Sequence, residues 1–131
     1  MRSDSIRICD TRFTTSVMSE ILPDIPDAPS GWNTDNHYFY EIINRSGKSV
    51  FIQLAFSSRN ATDEFMEMCD RINDYYPAKV QKADWQWRVP FQTSVIEIYE
   101  NISKDAIFTG LDECLKEIQT FEDDLKNNLE L

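Results

Sequence analysis

The chain has 131 residues, of which 41% are hydrophobic and 12% aromatic, enough to bury the core of one domain. No apolar run approaches the roughly 20 residues that cross a bilayer, and the first residues lack the apolar stretch of a signal peptide, so we expect a cytoplasmic protein with no membrane partner. The scattered Cys9, Cys69 and Cys114 fit that compartment as reduced core residues, without disulfide or zinc-site spacing.

The charge is strongly negative and uneven. The formal net charge is −10, with 6 basic and 7 acidic side chains in residues 1–60 against 7 and 16 in residues 61–131. A field of that sign opposes non-specific association with phosphate backbones, which depends on lysine and arginine. The acidity of the second half is typical of a solvated helical surface.

Residues 1–36 are expected to form an N-terminal arm and a proline-rich linker, followed by an α+β domain over residues 37–131. Residues 6–9 fit a short strand, and residues 14–22 fit one or two helical turns. Three prolines at three-residue spacing, in PDIPDAP, favour an extended linker before residue 37. Trp32 is the predicted anchor of this arm.

A β-hairpin is predicted over residues 37–57, because two β-rich runs flank Gly47, which can take a positive φ. Alternation places two sets of side chains on one face of the hairpin. These are Tyr38, Tyr40 and Ile42 on the first strand and Val50, Ile52, Leu54 and Phe56 on the second. The second strand is more apolar, so we expect it to be central.

Two helices are predicted after the hairpin, near residues 62–76 and 103–126, with a strand over residues 85–91 between them and a short one near 95–99. Thr62 or Asn60 can cap the first helix, and Ser103 the second. The apolar stripe of the first comprises Phe65, Met68, Cys69, Ile72 and Tyr76. That of the second comprises Ile107, Leu111, Leu115, Ile118, Phe121 or Glu122, and Leu125.

The change from a period of two to a period of 3.6 predicts the fold class: α+β, a small antiparallel sheet with two long helices packed on one face.

No complete catalytic, metal or cofactor motif is found. The single histidine, His37, has no neighbouring nucleophile pattern, and three glycines do not form a phosphate-binding loop. The cysteines and the histidine are too scattered for a zinc site. The sequence therefore predicts a non-enzymatic protein without catalytic residues, metal or cofactor.

A weak candidate for nucleic-acid binding lies in the acidic half, where Lys79, Lys82 and Arg88 surround Trp85 and Trp87. Alternation sends both tryptophans to one face and Arg88 to the other. Two alternating tryptophans on a strand are typical of core packing, which leaves Arg88 free but removes the stacking platform. We therefore expect weak or absent binding.

The order of several segments resembles the C-terminal region of PD-(D/E)XK superfamily nuclease-like proteins of bacteria and phages. The segments are NHYFYEIINRSGK, FIQLAFSSRN, CDRINDYYPAK, WQWRVPF and FEDDL, and the resemblance covers most of residues 32–125. It implies a role in restriction or defence.

The catalytic pattern of that superfamily is missing. It requires an acidic residue followed, on a strand, by an acid-x-Lys triplet that holds a divalent metal. Asp24 and Asp27 imitate the first part, but Glu41 is followed by Ile43 where lysine is required. The only acid-x-Lys triplet begins at Asp124 near the end of a helix. No catalytic residue of the family can be assigned.

Three functions remain open. The leading expectation is a non-catalytic accessory or binding module of a nuclease-like system. The alternative is a stand-alone acidic interaction protein, of phage anti-defence or DNA-mimic type, that binds a protein partner. The third is an enzyme with an unrecognised site. A protein partner is expected in both leading hypotheses, whereas nucleic acid is disfavoured by the net charge.

Overall fold

A computed structural model describes residues 12–22, 37–76 and 87–129. The predicted strand at residues 6–9 and the Trp32 anchor lie outside these residues. The described elements, in chain order, are β1 (Arg12–Phe13), α1 (Ser16–Ile21), β2 (Tyr38–Arg45), β3 (Ser49–Ser57), α2 (Asp63–Tyr75), β4 (Trp87–Gln92), β5 (Ile96–Glu97) and α3 (Lys104–Asn128). The predicted α+β class is confirmed.

The strands form one antiparallel sheet in the order β1-β2-β3-β4, and β5 also pairs with β3. The apolar strand β3 is therefore central, as its composition predicts. Its hairpin with β2 runs in uninterrupted register from Tyr38 opposite Phe56 to Arg45 opposite Ser49. Gly47 has a φ of +71° in the turn, and its N–H donates to Oδ1 of Asn44 at 2.7 Å.

Strand β4 carries one extra residue relative to β3. Leu54 pairs with Phe91, but two residues later Phe56 pairs with Arg88, so Val89 and Pro90 lie in a bulge. A bulge suits Pro90 because proline has no N–H to donate to a neighbouring strand. The bulge also decides which side chains of β4 face the helices.

All three helices pack on one face of the sheet. Thr62 caps α2 by accepting from the N–H of Phe65 at 3.2 Å, and Ser103 caps α3 by accepting from Ala106 at 3.0 Å, both as predicted. The shared core includes the predicted sheet face and the buried part of each helix. Its members are Met18, Ile21, Leu22, Tyr38, Tyr40, Ile52, Leu54, Phe56, Phe65, Cys69, Ile72, Cys114, Ile118, Phe121, Leu125 and Leu129.

Part of the N-terminal segment, expected to form an arm before the domain, belongs to this core. Phe13 stacks on the Tyr40 ring with centroids 5.3 Å apart, and Met18 is fully buried. Short elements of two and six residues give weak sequence patterns, and here the tertiary contacts stabilise them. The expected helical turns within residues 14–22 are present as α1.

The predicted apolar stripe of α3 is only partly confirmed. No residue of this helix before Cys114 is fully buried, and Leu115 remains 47% exposed. Cys114 takes the buried position instead, and both Phe121 and Glu122 are buried. The first half of α3 therefore contributes little to the core.

No helix among the described residues has both the length and the apolar character needed to cross a membrane.

Gly110 of α3 lies close to the Ile96 side chain of β5, which leads to a first prediction. A Cβ at this position would lie 2.9 Å from Cγ1 of Ile96. Alanine normally stabilises a helix interior by about 1 kcal/mol relative to glycine, but here the clash should reverse the sign. We expect Gly110→Ala to lower the free energy of unfolding by about 1 kcal/mol in urea denaturation.

The control is the same substitution in an Ile96→Ala background, where the space is free and Gly110→Ala should stabilise by about 1 kcal/mol. Equal stabilisation by Gly110→Ala in both backgrounds would show that α3 does not contact Ile96 of β5 closely.

Candidate interaction surface

The predicted basic and aromatic tract is not assembled as a nucleic-acid site by the described residues. Lys79, Lys82 and Trp85 lie outside them. Arg88 is only 7% exposed, and its Nη1 donates to Oδ1 of Asp70 on α2 at 2.9 Å. A guanidinium held in this way stabilises the contact between β4 and α2.

Trp87 and Arg88 are the residues of the tract that the structure describes, and the expected orientation is wrong for both. Trp87 is 63% exposed, whereas Arg88 points towards the helices. The cause is the β3 register, since Arg88 pairs with Phe56, whose side chain lies in the core. Trp87, one residue earlier, falls on the opposite face. The alternation within β4 is as predicted, but the faces are exchanged.

Other arginines are also engaged with neighbouring side chains. Arg12 lies over the Phe39 ring at 4.4 Å and pairs with Glu41, Nε to Oε2, at 3.1 Å. Arg45 lies over the Phe51 ring at 4.8 Å. These cations sit on the sheet face away from the helices.

Glu122 is the only buried acidic residue among those that the structure describes. It is 6% exposed, and its Oε2 accepts from the Tyr40 hydroxyl at 2.7 Å and from the Thr15 hydroxyl at 2.6 Å. Thr15 also caps α1, because its Oγ1 accepts from the N–H of Met18 at 3.2 Å. Burial, together with the bond to Glu122, raises the pKa of Tyr40 far above its usual value, so its hydroxyl remains a donor.

His37 and the two described cysteines have structural contacts. His37 is buried and its Nε2 donates to the carbonyl of Arg59 at 2.7 Å. Burial raises the pKa of both Cys69 and Cys114, which keeps them as thiols. Within the part of the chain that the structure describes, no three His, Cys, Asp or Glu residues group as metal ligands.

The acidic residues compared with the nuclease pattern do not lie together among the described residues. Glu41 lies on β2 beside Arg12, and Asp124 on α3 accepts a hydrogen bond from Tyr76. Asp24 and Asp27 lie outside the described residues.

An exposed line of alternating acidic and apolar side chains runs along the first half of α3. It comprises Asp105, Phe108, Asp112 and Leu115, which we call the α3 ridge. Their spacing of three and four residues makes each a neighbour of the next on the helix surface. Phe108 is 60% exposed and Leu115 47%, and both aspartates are exposed.

Sequence reasoning missed the α3 ridge because it assigned Leu115 to the core and passed over Phe108. The signal was present, since Ile107 and Phe108 cannot both lie in one narrow stripe, nor can Cys114 and Leu115. Two adjacent apolar residues point in different directions from the helix axis, so a single core contact cannot cover both. Only the structure shows which member of each pair is buried.

The α3 ridge lies within an acidic helical layer. Ten exposed carboxylates occur on the two long helices, against four basic side chains, so the layer is strongly negative. The carboxylates belong to Asp63, Glu64, Glu67, Asp70, Asp74, Asp105, Asp112, Glu113, Asp123 and Asp124. Such a surface favours a positively charged partner.

The buried carboxylate yields a second prediction. Tyr40→Phe removes one of its two hydroxyl donors and should lower the free energy of unfolding by about 1–3 kcal/mol. In a Glu122→Met background the Tyr40 hydroxyl has lost its acceptor, so the same change should be neutral or stabilising. Urea denaturation of the four proteins measures the coupling.

Tyr99→Phe serves as the control, because that ring is 62% exposed and its change should stay within about 0.5 kcal/mol. An equal cost of Tyr40→Phe in both backgrounds would contradict the hydrogen bond to Glu122.

Comparisons of the chain with protein-family models, with curated proteins and with solved structures find no match. The resemblance to PD-(D/E)XK nuclease-like proteins therefore stays a prediction. Inferences about function depend on the surface of this chain.

Proposed function

We propose that the chain is a non-catalytic binding module that engages a protein partner through its acidic helical layer. The α3 ridge carries this proposal. An exposed phenylalanine and leucine surrounded by carboxylates match the apolar centre and polar rim of a protein interface. Isolated exposed leucines are common on protein surfaces, but here two apolar residues alternate with two acids along one helix.

Charge favours a protein partner over nucleic acid. Phosphate contacts require accessible cations, whereas Arg88 of the predicted tract is buried against Asp70. The exposed faces of both long helices have the wrong sign for a phosphate backbone. Stacking a base on the exposed Trp87 would require cations that neutralise this field.

The wider context that we propose is an accessory module of a cytoplasmic restriction or defence system, in keeping with the family resemblance. In the described residues Glu41 faces Arg12 instead of a lysine two positions later. This arrangement supports a role without the nuclease chemistry of that superfamily, because no acid and lysine pair is present on the strand to hold a metal and activate water.

The second candidate is a stand-alone acidic protein that occupies a DNA-binding surface of its partner. The ten exposed carboxylates on one helical layer favour it, since a DNA mimic needs dense negative charge on one side. Both candidates predict a positively charged protein partner. They differ in whether a nuclease core is encoded in the same reading frame, which the full gene shows directly.

The test is purification of the tagged protein from its native cells, with and without nuclease treatment, followed by crosslinking and mass spectrometry. We expect a protein partner that survives nuclease treatment, with crosslinks concentrated on α2 and α3. Loss of the complex on nuclease treatment, or purification of the protein without any partner, would contradict the proposal.

The nucleic-acid alternative has its own measurement, a salt titration of single-stranded and duplex DNA. Wild type should bind weakly or not at all, without cleavage when magnesium or manganese is added. The informative variant is Lys79→Ala with Lys82→Ala, because replacing the buried Arg88 would also destabilise the fold. Tight binding by wild type that this variant abolishes would favour nucleic acid.

A further inference from the structure

The α3 ridge is long enough to receive one element of secondary structure. From Asp105 to Leu115 the helix advances about 15 Å, which is close to three turns. The α3 ridge is flanked on its core side by Ile107 and Leu111. Both are only partly buried, and they widen the apolar strip. Before Cys114 no residue of α3 is fully buried, and Phe108 and Leu115 leave apolar surface exposed.

The charges beside this strip specify the occupant. Asp105 and Asp112 flank Phe108 at three and four residues, within reach of the same partner side chains. A second copy of the chain would bring these acids against their own counterparts, and like charges in an interface are unfavourable. The complementary partner is basic.

Helical structure is favoured over an added strand. Among the described strands, β4 lies at an edge of the sheet, but Pro90 and its bulge interrupt the row of donors that an incoming strand would need. By contrast, side chains three and four residues apart on α3 form a ridge that fits the groove of another helix.

We propose that the α3 ridge docks a basic amphipathic helix of the protein partner. The apolar face of that helix covers Phe108 and Leu115, and its lysines or arginines pair with Asp105 and Asp112. This inference deepens the proposed function and rests on it, because it names the chemistry of the partner and the residues that receive it.

The probe is a fluorescein-labelled synthetic peptide of about 18 leucines and lysines, with leucines at helical spacing on one face. Its binding to the full chain is measured by fluorescence anisotropy. Phe108→Ser with Leu115→Ser should weaken binding at least about tenfold. The matched control, Val95→Ser with Tyr99→Ser, removes two other exposed apolar side chains and should change the Kd less than about twofold.

Charge is tested with a second pair of variants. Asp105→Asn with Asp112→Asn should weaken binding about three- to tenfold and reduce its dependence on salt. The control, Glu64→Gln with Glu67→Gln, removes the same charge from α2, where one of the two acids again lies in the first helical turn. It should change the logarithm of the Kd by less than about half as much as Asp105→Asn with Asp112→Asn does. A peptide of equal composition with alternating leucines should bind at least about tenfold more weakly.

Absent binding of the helical peptide, or equal weakening by the ridge pairs and their controls, would overturn the docking site. Stronger weakening by Glu64→Gln with Glu67→Gln would also overturn it and would place binding on α2, leaving the proposed function intact. The proposed function fails separately, when native purification yields no protein partner. Circular dichroism of every variant confirms that the fold is retained before binding is compared.

Discussion

The buried carboxylate of Glu122 is the constraint on which the arrangement of helices and sheet depends. A carboxylate removed from water is costly unless hydrogen bonds compensate it, so α3 can pack only where donors meet Glu122. Tyr40 supplies one from β2, and Thr15 supplies another from the start of α1. Three elements distant in sequence are thereby fixed relative to one another. The apolar contacts around this point add stability, whereas the polar contact specifies the position.

Fixing α3 at Glu122 determines which of its residues reach the core. Phe121 stacks on Phe91 of β4 with centroids 4.2 Å apart, and further along Leu125 is fully buried. Towards the N-terminus the contacts become fewer: Glu117 accepts from Ser94 at 3.0 Å, and then Gly110 meets Ile96 of β5. The α3 ridge is exposed because its side chains lie on the side of the helix that faces away from Ile96 and the core.

Much of the fold follows from local patterns, but the candidate surface does not. The period of two and Gly47 predict the hairpin, and Thr62 predicts the start of α2, because these signals act within a few residues. The orientation of Arg88 and Trp87 depends on the register with β3, which the bulge at Pro90 shifts and which no local pattern contains. The burial of Met18, Ile21 and Leu22 and the exposure of Leu115 likewise depend on contacts between distant segments.

Native-state hydrogen exchange along α3 measures directly whether its second half is fixed in the core while its first half is not. Amides near 108–112 should exchange at least about tenfold faster than those near 118–126, since the former have few buried neighbours. The first helical turn is left out, because its N–H groups lack partners within the helix. Uniform protection from residue 108 to residue 126 would contradict this difference, since it would require the first half of α3 to be held as firmly as the second.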